Sequence, residues 1–509
     1  MSSASPRTRR RGPDVLLIVL DCVDAAFVLG GPDSIPGLRT IEQVGREGLV
    51  FDHAVSPASW TLPSHASMFT GLYPWDHAVH SLGVGRLGSS FSTLAQDLQR
   101  TGYVTGAFSS NPLIWDALGK AHGFEVFLSG DGRDCLVRGV RRWESTPRRE
   151  PPDGGGTRKV SWIARMADRH GSVATIFPVC FDAFGRAIAM LDGSSESSKS
   201  EVSPWIESEF QSWIRQASPD RPIFSFINLM DAHEPYFGIP RHLPSFREWL
   251  RLYSVPQGPR GLFGSSHSSR DPAQRSIREL YRQATRVLDQ RLKEILDGFR
   301  NIRDWDNSIV IITSDHGQGF GGPGFAYHHH GSSPALHRVP LIVRAPSCES
   351  RAGTRVTHWV STREIREFVV NEVRQIQRLP NMIPGEVQYL VAEREAKPVL
   401  SLADVAQYYG GVTPAWIANW GSRHIRIIGY SHEYCCTVNP FSGELEVRRA
   451  VDSVEARVEF PMDLPELKAL QDSLTAAARA YRQTVRPGRA RARGLRLASP
   501  RVDSGVRSR

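Results

Sequence analysis

The sequence predicts an α/β fold in which a parallel β-sheet lies between layers of helices. Short apolar runs rich in β-branched residues recur along the chain, as expected of strands that are buried on both faces. Segments with helical periodicity separate these runs, and this alternation is typical of a doubly wound sheet. The chain has 509 residues, of which 40% are hydrophobic and 23% charged. That composition supports a substantial core and excludes a largely disordered chain.

Four apolar runs are predicted to form strands of this sheet. They cover residues 14–20 (DVLLIVL), 104–108, 223–229 (IFSFINL) and 308–313 (SIVIIT). Helices are predicted over residues 93–101 and 277–299, where apolar residues recur with a helix-like period in the longer segment. Residues 59–71 are predicted to pass from a loop into a helix, whose first turn would present free N–H groups to an anion.

Other parts of the chain depart from this alternation. Residues 131–200 contain PPDGGG, an arginine cluster and a serine-rich segment, so we expect a partly mobile insertion within a main domain at 14–346. Residues 347–481 are predicted to form a smaller α+β portion. The arginine-rich ends, 1–13 and 482–509, are predicted to be disordered basic arms.

The net charge is +9, and the two arms carry more than this excess, so the folded part is expected to be close to neutral. We therefore predict no specific nucleic-acid partner. No apolar run is long enough to predict a transmembrane segment. The arginine-rich start is followed by only a short apolar stretch, so a cytoplasmic location is expected. The six cysteines show no CxxC spacing and predict neither a disulfide framework nor a structural zinc site.

Polar side chains follow three of the predicted strands at the point where each strand ends. Asp21 follows the first strand, Asp231 and His233 follow the third, and Asp315 and His316 follow the fourth. The carboxyl ends of parallel strands lie at one edge of a sheet, where ligands bind. Carboxylate and imidazole groups are ligands for divalent cations. Taken singly, an acid such as Asp21 could instead cap the following helix.

Five blocks of the sequence, in this order, resemble the sulfatase family of the alkaline-phosphatase superfamily. They are DVLLIVLDCVDA (14–25), ASWTLPSHASMFTGLYPWDHAVH (58–80), RPIFSFINLMDAHEPY (221–236), LYRQATRVLDQRLKEIL (280–296), and SIVIITSDHGQGF with HHHGSSPALHRVPLIVRAP (308–346). With a weaker match over 415–481, the resemblance covers most of the chain outside the insertion and the arms. It implies the α/β/α sandwich of that superfamily, followed by the smaller C-terminal α+β portion.

The resemblance also implies roles for individual residues. Asp21 resembles the family's first metal ligand, and Asp315 with His316 resembles its later metal-binding pair. Thr61 stands at the position of the family's nucleophile, at the start of the block Thr-Leu-Pro-Ser-His. His233 matches a histidine near the leaving group.

A divalent cation, Ca²⁺, Mn²⁺ or Zn²⁺, is the cofactor that the resemblance implies. Its predicted ligands are Asp21, Thr61, Asp315 and His316. One cation is the more economical prediction. A second cation, or a contact to substrate, is left open for Asp231, His233 and His330, or for His328, since HHHG leaves the register open.

Three positions depart from the family pattern. The family usually has Cys or Ser as the nucleophile and converts it to formylglycine, but the secondary alcohol of Thr61 cannot form that aldehyde, so no formylglycine is expected. His65 replaces the arginine of the motif, and Cys22 replaces its second aspartate. Threonine is the nucleophile in phosphodiesterase, phosphonate-hydrolase and phosphotransferase relatives, which favours phosphorus esters over sulfate esters.

The predicted function is a metal-dependent hydrolase of small sulfate or phosphate esters. Thr61 would form the covalent intermediate, His233 would protonate the leaving alcohol, and His65 is assigned to the same catalytic group. Two alternatives stay open. One is a transferase that moves a phosphorylated head group to an acceptor other than water. The other is a catalytically silent member that binds a partner through its basic tails or its insertion.

Overall fold

The computed structural model describes a large part of the chain. The described residues are 12–31, 33–79, 86–111, 113–114, 118, 123–129, 204–233, 236, 272–322, 324–327, 334–374, 390–394, 426–430, 434–439, 442–443, 445–449 and 465–484. The predicted insertion at 131–200 lies outside these ranges, as do almost all residues of the two basic arms. Among the described residues, no helix is both long enough and apolar enough to cross a membrane.

The described strands of the first three quarters of the chain build a large sheet and a hairpin. They are β1 (Asp14–Leu20), β2 (Leu49–Val55), β3 (Val104–Ser109), β4 (Val126–Ser129), β5 (Ile223–Leu229), β6 (Ser308–Thr313), β7 (Gly319–Gly322), β8 (Gly324–Tyr327), β9 (Leu341–Arg344) and β10 (Arg355–Ser361). The large sheet has the order β10-β2-β9-β6-β1-β5-β3-β4. The four predicted strands are confirmed, and they are four consecutive strands of this sheet, β6-β1-β5-β3.

One strand of the large sheet runs against the others. β9 is antiparallel to both of its neighbours, β2 and β6, whereas the remaining pairs are parallel. A parallel neighbour needs a crossover that returns the chain to the opposite edge of the sheet. The described part of the segment between β6 and β9 contains the β7–β8 hairpin and a short 3₁₀ turn at Pro334–Leu336. The chain therefore returns to the sheet without a crossover, and β9 runs antiparallel to β6. The sheet, predicted to be parallel, is mixed.

Helices cover both faces of the sheet. They are α1 (Ala25–Val28), α2 (Arg39–Glu47), α3 (Thr61–Thr70), α4 (Pro74–His77), α5 (Leu94–Arg100), α6 (Pro204–Gln216), α7 (Pro272–Ile302), α8 (Ile365–Val373) and α9 (Pro465–Thr484). The predicted helix at 93–101 is α5, which begins with a capping box between Thr93 and Gln96. The predicted helix at 277–299 lies within the longer α7.

Two hydrophobic cores follow from the alternation of side chains along the strands. On one face, Leu16, Ile18 and Leu20 of β1 share a core with α2, α6 and α7. On the other face, the alternate residues of β1 share a core with α3, α5 and α8. Close packing of the first core requires Gly106 in β3, because a Cβ there would lie 2.7 Å from the Trp213 ring. The α/β/α sandwich is thereby confirmed.

A second, smaller sheet follows. It is antiparallel, with the order β11 (Leu390–Arg394), β12 (Arg426–Tyr430), β13 (Tyr434–Val438) and β14 (Leu445–Arg449). Helix α9 packs against β12 and β13, which makes an α+β portion. The main sheet, however, continues beyond the predicted boundary at 346, because β10 pairs with β2 and α8 packs in the second core.

Candidate functional site

Neighbouring strands bring the predicted metal ligands together. Asp21 ends β1, and Asp315 and His316 follow β6, which is the parallel neighbour of β1. His316 Nε2 lies 3.8 Å from Asp21 Oδ1 and 3.4 Å from Asp315 Oδ2, and all three side chains are fully buried. The structure therefore places these three residues at one edge of the sheet.

The backbone around His316 sets the orientation of its ring. His316 Nδ1 lies 3.0 Å from the carbonyl oxygen of Gly317, so Nδ1 carries the proton and donates to that oxygen. The other ring nitrogen, Nε2, then has its lone pair directed at the carboxylates, which is the tautomer that a metal ligand needs. Gly317 is required here because a Cβ would lie 1.8 Å from the carbonyl oxygen of Ala335.

A tight turn after β1 holds the two carboxylates in register. Cys22 has a φ of 64°, a left-handed conformation that is uncommon for a non-glycine residue. Its backbone N–H donates to Asp315 Oδ1 at 3.3 Å. The hydroxyl of Tyr281 donates to the carbonyl oxygen of Cys22 and accepts from the N–H of Asp24, both at 3.0 Å. Tyr281 of helix α7 thus fixes the conformation of the turn that begins at Asp21.

Thr61 is the first residue of α3, at the same edge of the sheet. Pro63 lies in the first turn of the helix, where its missing N–H breaks no helical hydrogen bond. The N-cap residue, Trp60, offers no side-chain hydrogen bond to the first turn, which leaves backbone N–H groups there for an anionic group. Ser64 Oγ donates to the carbonyl oxygen of Asp315 at 2.6 Å, and this contact ties the start of α3 to the end of β6.

An amide that sequence reasoning missed links the nucleophile candidate to the metal ligands. Asn111 Nδ2 lies 2.9 Å from Asp21 Oδ2 and 3.4 Å from Thr61 Oγ1. Asn228 Nδ2 lies 3.4 Å from the same Asp21 oxygen. The sequence offers only weak signals that these two amides belong to the site. Asn111 lies two residues beyond the end of β3, and Asn228 is a polar residue within an apolar run.

His65 lies one helical turn after Thr61, between the backbone of Thr61 and the carboxylate of Asp315. Its Nδ1 donates to the carbonyl oxygen of Thr61 at 2.9 Å and lies 3.8 Å from Asp315 Oδ2. The fully buried ring packs edge-on against Phe226, with the ring centroids 5.8 Å apart. His65 is therefore placed to hold the backbone of Thr61 next to the Asp315 carboxylate.

The residues after β5 divide into two environments. Donor atoms of His233, Asp21 and Cys22 lie within 4.8 Å of one another. Asp231 instead accepts a hydrogen bond from Arg291 Nε at 2.5 Å, and Arg291 also contacts Glu207 at 3.3 Å. An arginine of α7 thus neutralises Asp231. The two remaining candidates of the sequence prediction, His328 and His330, lie outside the described residues.

The two carboxylates of the site differ in their pKa. Burial, together with the neighbouring Asp21 carboxylate, raises the pKa of Asp315 to about 7. Burial also acts to raise the pKa of Asp21, but His233, His316 and the Asn111 amide together hold it below its ordinary value. Asp21 is therefore the carboxylate that stays ionised across the neutral range.

The residues fit a divalent cation. Asp21 Oδ1 and Asp315 Oδ2 are buried and accept no hydrogen bond from any residue that the structure describes. One donor atom each from Asp21, Asp315 and His316 lies within 4.8 Å of the other two. Buried acceptors without a donor destabilise a protein unless a cation compensates them, and two carboxylates with an imidazole are a suitable ligand set for one.

The family model of the sulfatases matches residues 13–362. This chain belongs to the sulfatase family. A choline-sulfatase of Rhizobium meliloti is 21% identical over 349 residues, which are 66% of this chain and 63% of that protein. The iduronate 2-sulfatase of Mus musculus is 22% identical over 364 residues, which are 68% of this chain and 61% of that protein. The matched part of the chain spans less than two thirds of either relative.

Solved structures share the fold of this sulfatase-family chain. A phosphonate monoester hydrolase of Agrobacterium radiobacter superposes with a TM-score of 0.59 at 17% identity, covering 93% of this chain and 96% of that one. A structure described as a sulfatase from Bacteroides thetaiotaomicron has a TM-score of 0.58 at 15% identity, covering 93% and 94%. The predicted sulfatase-like fold is therefore confirmed, over nearly the whole length of both structures.

Proposed function

We propose that this sulfatase-family protein is a metal-dependent hydrolase that acts on small phosphate or phosphonate esters through a covalent intermediate on Thr61. The observation that carries the proposal is the Asn111 amide, which joins the Thr61 hydroxyl to the Asp21 carboxylate. Family membership supports an ester hydrolase of the sulfate or phosphate type. Thr61 favours phosphorus as the reacting atom, because a threonine cannot become the formylglycine of sulfate-ester hydrolysis.

Asp21, Asp315 and His316 would hold the divalent cation, with the Thr61 hydroxyl beside it. When bound there, the cation would lower the pKa of this hydroxyl and neutralise ester oxygens. One cation suffices for this set. The ion pair between Asp231 and Arg291 supports a single catalytic cation, because the arginine already neutralises Asp231, which the sequence left open as a ligand of a second one.

The residues of the chain then act in two steps. Thr61 Oγ1 loses its proton to solvent and attacks phosphorus, while the bond from phosphorus to the leaving oxygen breaks and His233 donates a proton to that oxygen. A water molecule next attacks phosphorus while the bond from phosphorus to Thr61 Oγ1 breaks; His233 takes up a proton of that water, and Thr61 Oγ1 regains its proton from solvent. The N–H groups at the start of α3 would hold an ester oxygen throughout. His65 keeps the backbone of Thr61 in place.

A substrate panel tests the proposed function. Full-length protein is assayed on nitrophenyl sulfate, a nitrophenyl phosphate monoester, a phosphate diester and a phosphonate ester, each with Ca²⁺, Mn²⁺, Mg²⁺ or Zn²⁺. We expect at least one phosphorus ester to exceed the sulfate ester in kcat/KM. A clear preference for the sulfate ester would contradict the proposed substrate class.

The nucleophile is tested by Thr61→Ala. We expect kcat to fall by about 10⁴- to 10⁶-fold, as for removal of other enzymatic nucleophiles. Thr70→Ala is the matched control, because Thr70 is a buried threonine in the last turn of the same helix, and its hydroxyl donates to the carbonyl oxygen of Ala66 and accepts from the N–H of Leu72. Mass spectrometry of acid-quenched wild-type protein should find phosphate on Thr61. Wild-type turnover by Thr61→Ala would remove Thr61 from its role.

A further inference from the structure

We propose that Asp21, Cys22 and His233 form a second cation position, which selects thiophilic ions such as Zn²⁺ or Cd²⁺ and stops turnover when it is occupied. The inhibitory part rests on the proposed function, in which His233 protonates the leaving group. The binding part stands on geometry and on the chemistry of the donor atoms.

Three donor atoms of different chemistry meet at this position. A carboxylate oxygen of Asp21, the sulfur of Cys22 and a ring nitrogen of His233 all lie within 4.8 Å of one another. In tetrahedral zinc sites, bond lengths of about 2.0–2.3 Å place neighbouring ligand atoms about 3.3–3.8 Å apart. Small rotations of the three side chains would therefore close the set around an ion. Asp21 and Cys22 are fully buried, whereas His233 is half-buried.

This second position is distinct from the one between Asp315 and His316. The described residues form two donor triads that have only Asp21 in common. Cys22 Sγ contacts His316 at Nδ1, 3.8 Å away, and that nitrogen carries the proton bonded to Gly317. The first position uses the opposite nitrogen of the ring, Nε2, which faces the carboxylates. The thiol and the first triad thus lie on different edges of the His316 ring.

The donor set decides which ions the second position selects. Hard cations such as Ca²⁺ and Mg²⁺ bind through oxygen ligands, whereas thiolate and imidazole ligands favour Zn²⁺ and its heavier relative Cd²⁺. Cys22 would release its thiol proton to solvent as the bond from sulfur to metal forms. The replacement of a carboxylate by Cys22 therefore makes this corner of the site sensitive to thiophilic metals.

Occupancy of the second position has a direct consequence for the reaction. A histidine with one ring nitrogen bound to a metal ion cannot form the imidazolium cation, so His233 would lose the acidic proton that the leaving oxygen takes up. We therefore expect Zn²⁺ or Cd²⁺ to inhibit an enzyme whose first position already holds Ca²⁺, Mg²⁺ or Mn²⁺. Excess of those harder cations should not produce the same inhibition.

A cadmium titration tests the second position. Full-length protein is saturated with the hard cation that supports the highest turnover, and Cd²⁺ is then added. We expect the near-ultraviolet absorption of a thiolate–cadmium bond to rise up to one equivalent of bound Cd²⁺, measured by elemental analysis, while turnover falls in parallel. His233→Gln should weaken Cd²⁺ binding by more than the roughly 10- to 100-fold that loss of an outer-shell partner costs, because His233 is a direct ligand.

The matched control is another buried thiol. Cys22→Ser and Cys22→Ala should both lose the absorption band, whereas Cys348→Ser should keep it, since Cys348 is a buried cysteine whose thiol lies beside Ser347. Absence of the band in wild-type protein would overturn the second position whether or not the variants fold. A band that persists in both Cys22 variants would overturn it too.

The titration also separates the two proposals. If the panel of esters shows no turnover, the proposed function fails, while the absorption band and the bound Cd²⁺ still decide the second position. If the band forms but turnover is undiminished at full occupancy, the inhibitory part of the inference is refuted.

Discussion

Strand β1 has a buried aspartate at each end, and the two aspartates differ in the groups that contact their carboxylates. Asp14, at the start, forms a two-point ion pair with Arg303, at 3.0 and 2.9 Å, and also accepts the N–H of Ile223 at 2.9 Å. Asp21, directly after the last residue of β1, faces a second carboxylate, Asp315, and its Oδ1 accepts no hydrogen bond from the described residues. The start of the strand has a cationic partner within the chain, whereas the end of the strand has donor atoms suited to a cation from solution.

The difference separates a structural charge at Asp14 from the charge at Asp21 that we propose to be functional. Both carboxylates are almost fully buried, so burial alone does not distinguish them. A buried charge is tolerated when a partner and further hydrogen bonds compensate its desolvation, as the guanidinium of Arg303 does for Asp14. Among the described residues, Asp21 and Asp315 form no ion pair with an arginine or a lysine, so we propose that a divalent cation compensates the two facing carboxylates.

Among the substitutions that test this comparison, the largest effect, a loss of turnover, is expected at Asp315, which faces Asp21. Asp315→Asn should reduce bound metal, measured by elemental analysis, and lower turnover by about 10³-fold or more, since charge stabilisation at the reacting group is lost. The metal-free variant should be at least as stable as metal-free wild type, because one of two facing carboxylates is gone. Asp306→Asn, at an almost fully exposed residue, is the control. Unchanged metal content in Asp315→Asn would refute the ligand assignment.

Substitution of Asp14, at the start of β1, should instead lower stability and leave turnover and metal content unchanged. Asp14→Asn leaves Arg303 buried without its partner, so we expect the free energy of unfolding to fall by about 3–5 kcal/mol, measured by urea denaturation. Turnover per folded molecule and metal content should stay near wild type. Asp297→Asn, in an exposed ion pair with Lys293, should change stability by less than about 1 kcal/mol. A loss of metal in Asp14→Asn would contradict this division of the strand.

A smaller effect is expected from the amides beside Asp21. Asn111→Ala should lower kcat by about 10- to 100-fold, because it removes the donor between the Thr61 hydroxyl and the carboxylate. Asn228→Ala should lower it less, since its contact to Asp21 is longer. Full kinetics with saturating metal distinguish a loss in kcat from a loss in metal affinity. Equal effects of the two variants would show that Asn111 has no special relation to Thr61.

A further effect concerns the pH dependence of stability. Burial raises the pKa of Asp315 and of Asp24 to about 7 in the folded protein, from an ordinary value of 3.8. The folded state then holds these protons more tightly than the unfolded chain, so metal-free stability should fall as pH rises from about 4 through 7. Denaturation curves at pH 5 and pH 8 measure this. Asp24→Asn should remove about half of the slope, because the two carboxyls have the same shift, and saturating metal should remove the part due to Asp315.

Much of the fold and the centre of the site could be predicted from the sequence because the signals are local. A strand buried on both faces is a continuous apolar run, and Asp21, Asp315 and His316 each follow such a run directly. Parallel strands then bring their carboxyl ends to one edge by geometry alone. Thr61 was located by its motif, and α3 begins at that residue.

The finer relations among these residues depend on how distant segments of the chain pack together. The contacts of Asn111 with Thr61 and of Arg291 with Asp231 join residues at least 50 positions apart in the sequence. No local sequence pattern indicates which of the amide or arginine side chains of the chain will contact these site residues. The antiparallel direction of β9 depends on how the chain returns after β6, and the extent of the main sheet depends on β10 pairing with β2. Local sequence therefore determined which chemical groups reach the edge of the sheet, whereas strand pairing and helix packing determined which of them touch, because contact distances arise only when distant segments pack together.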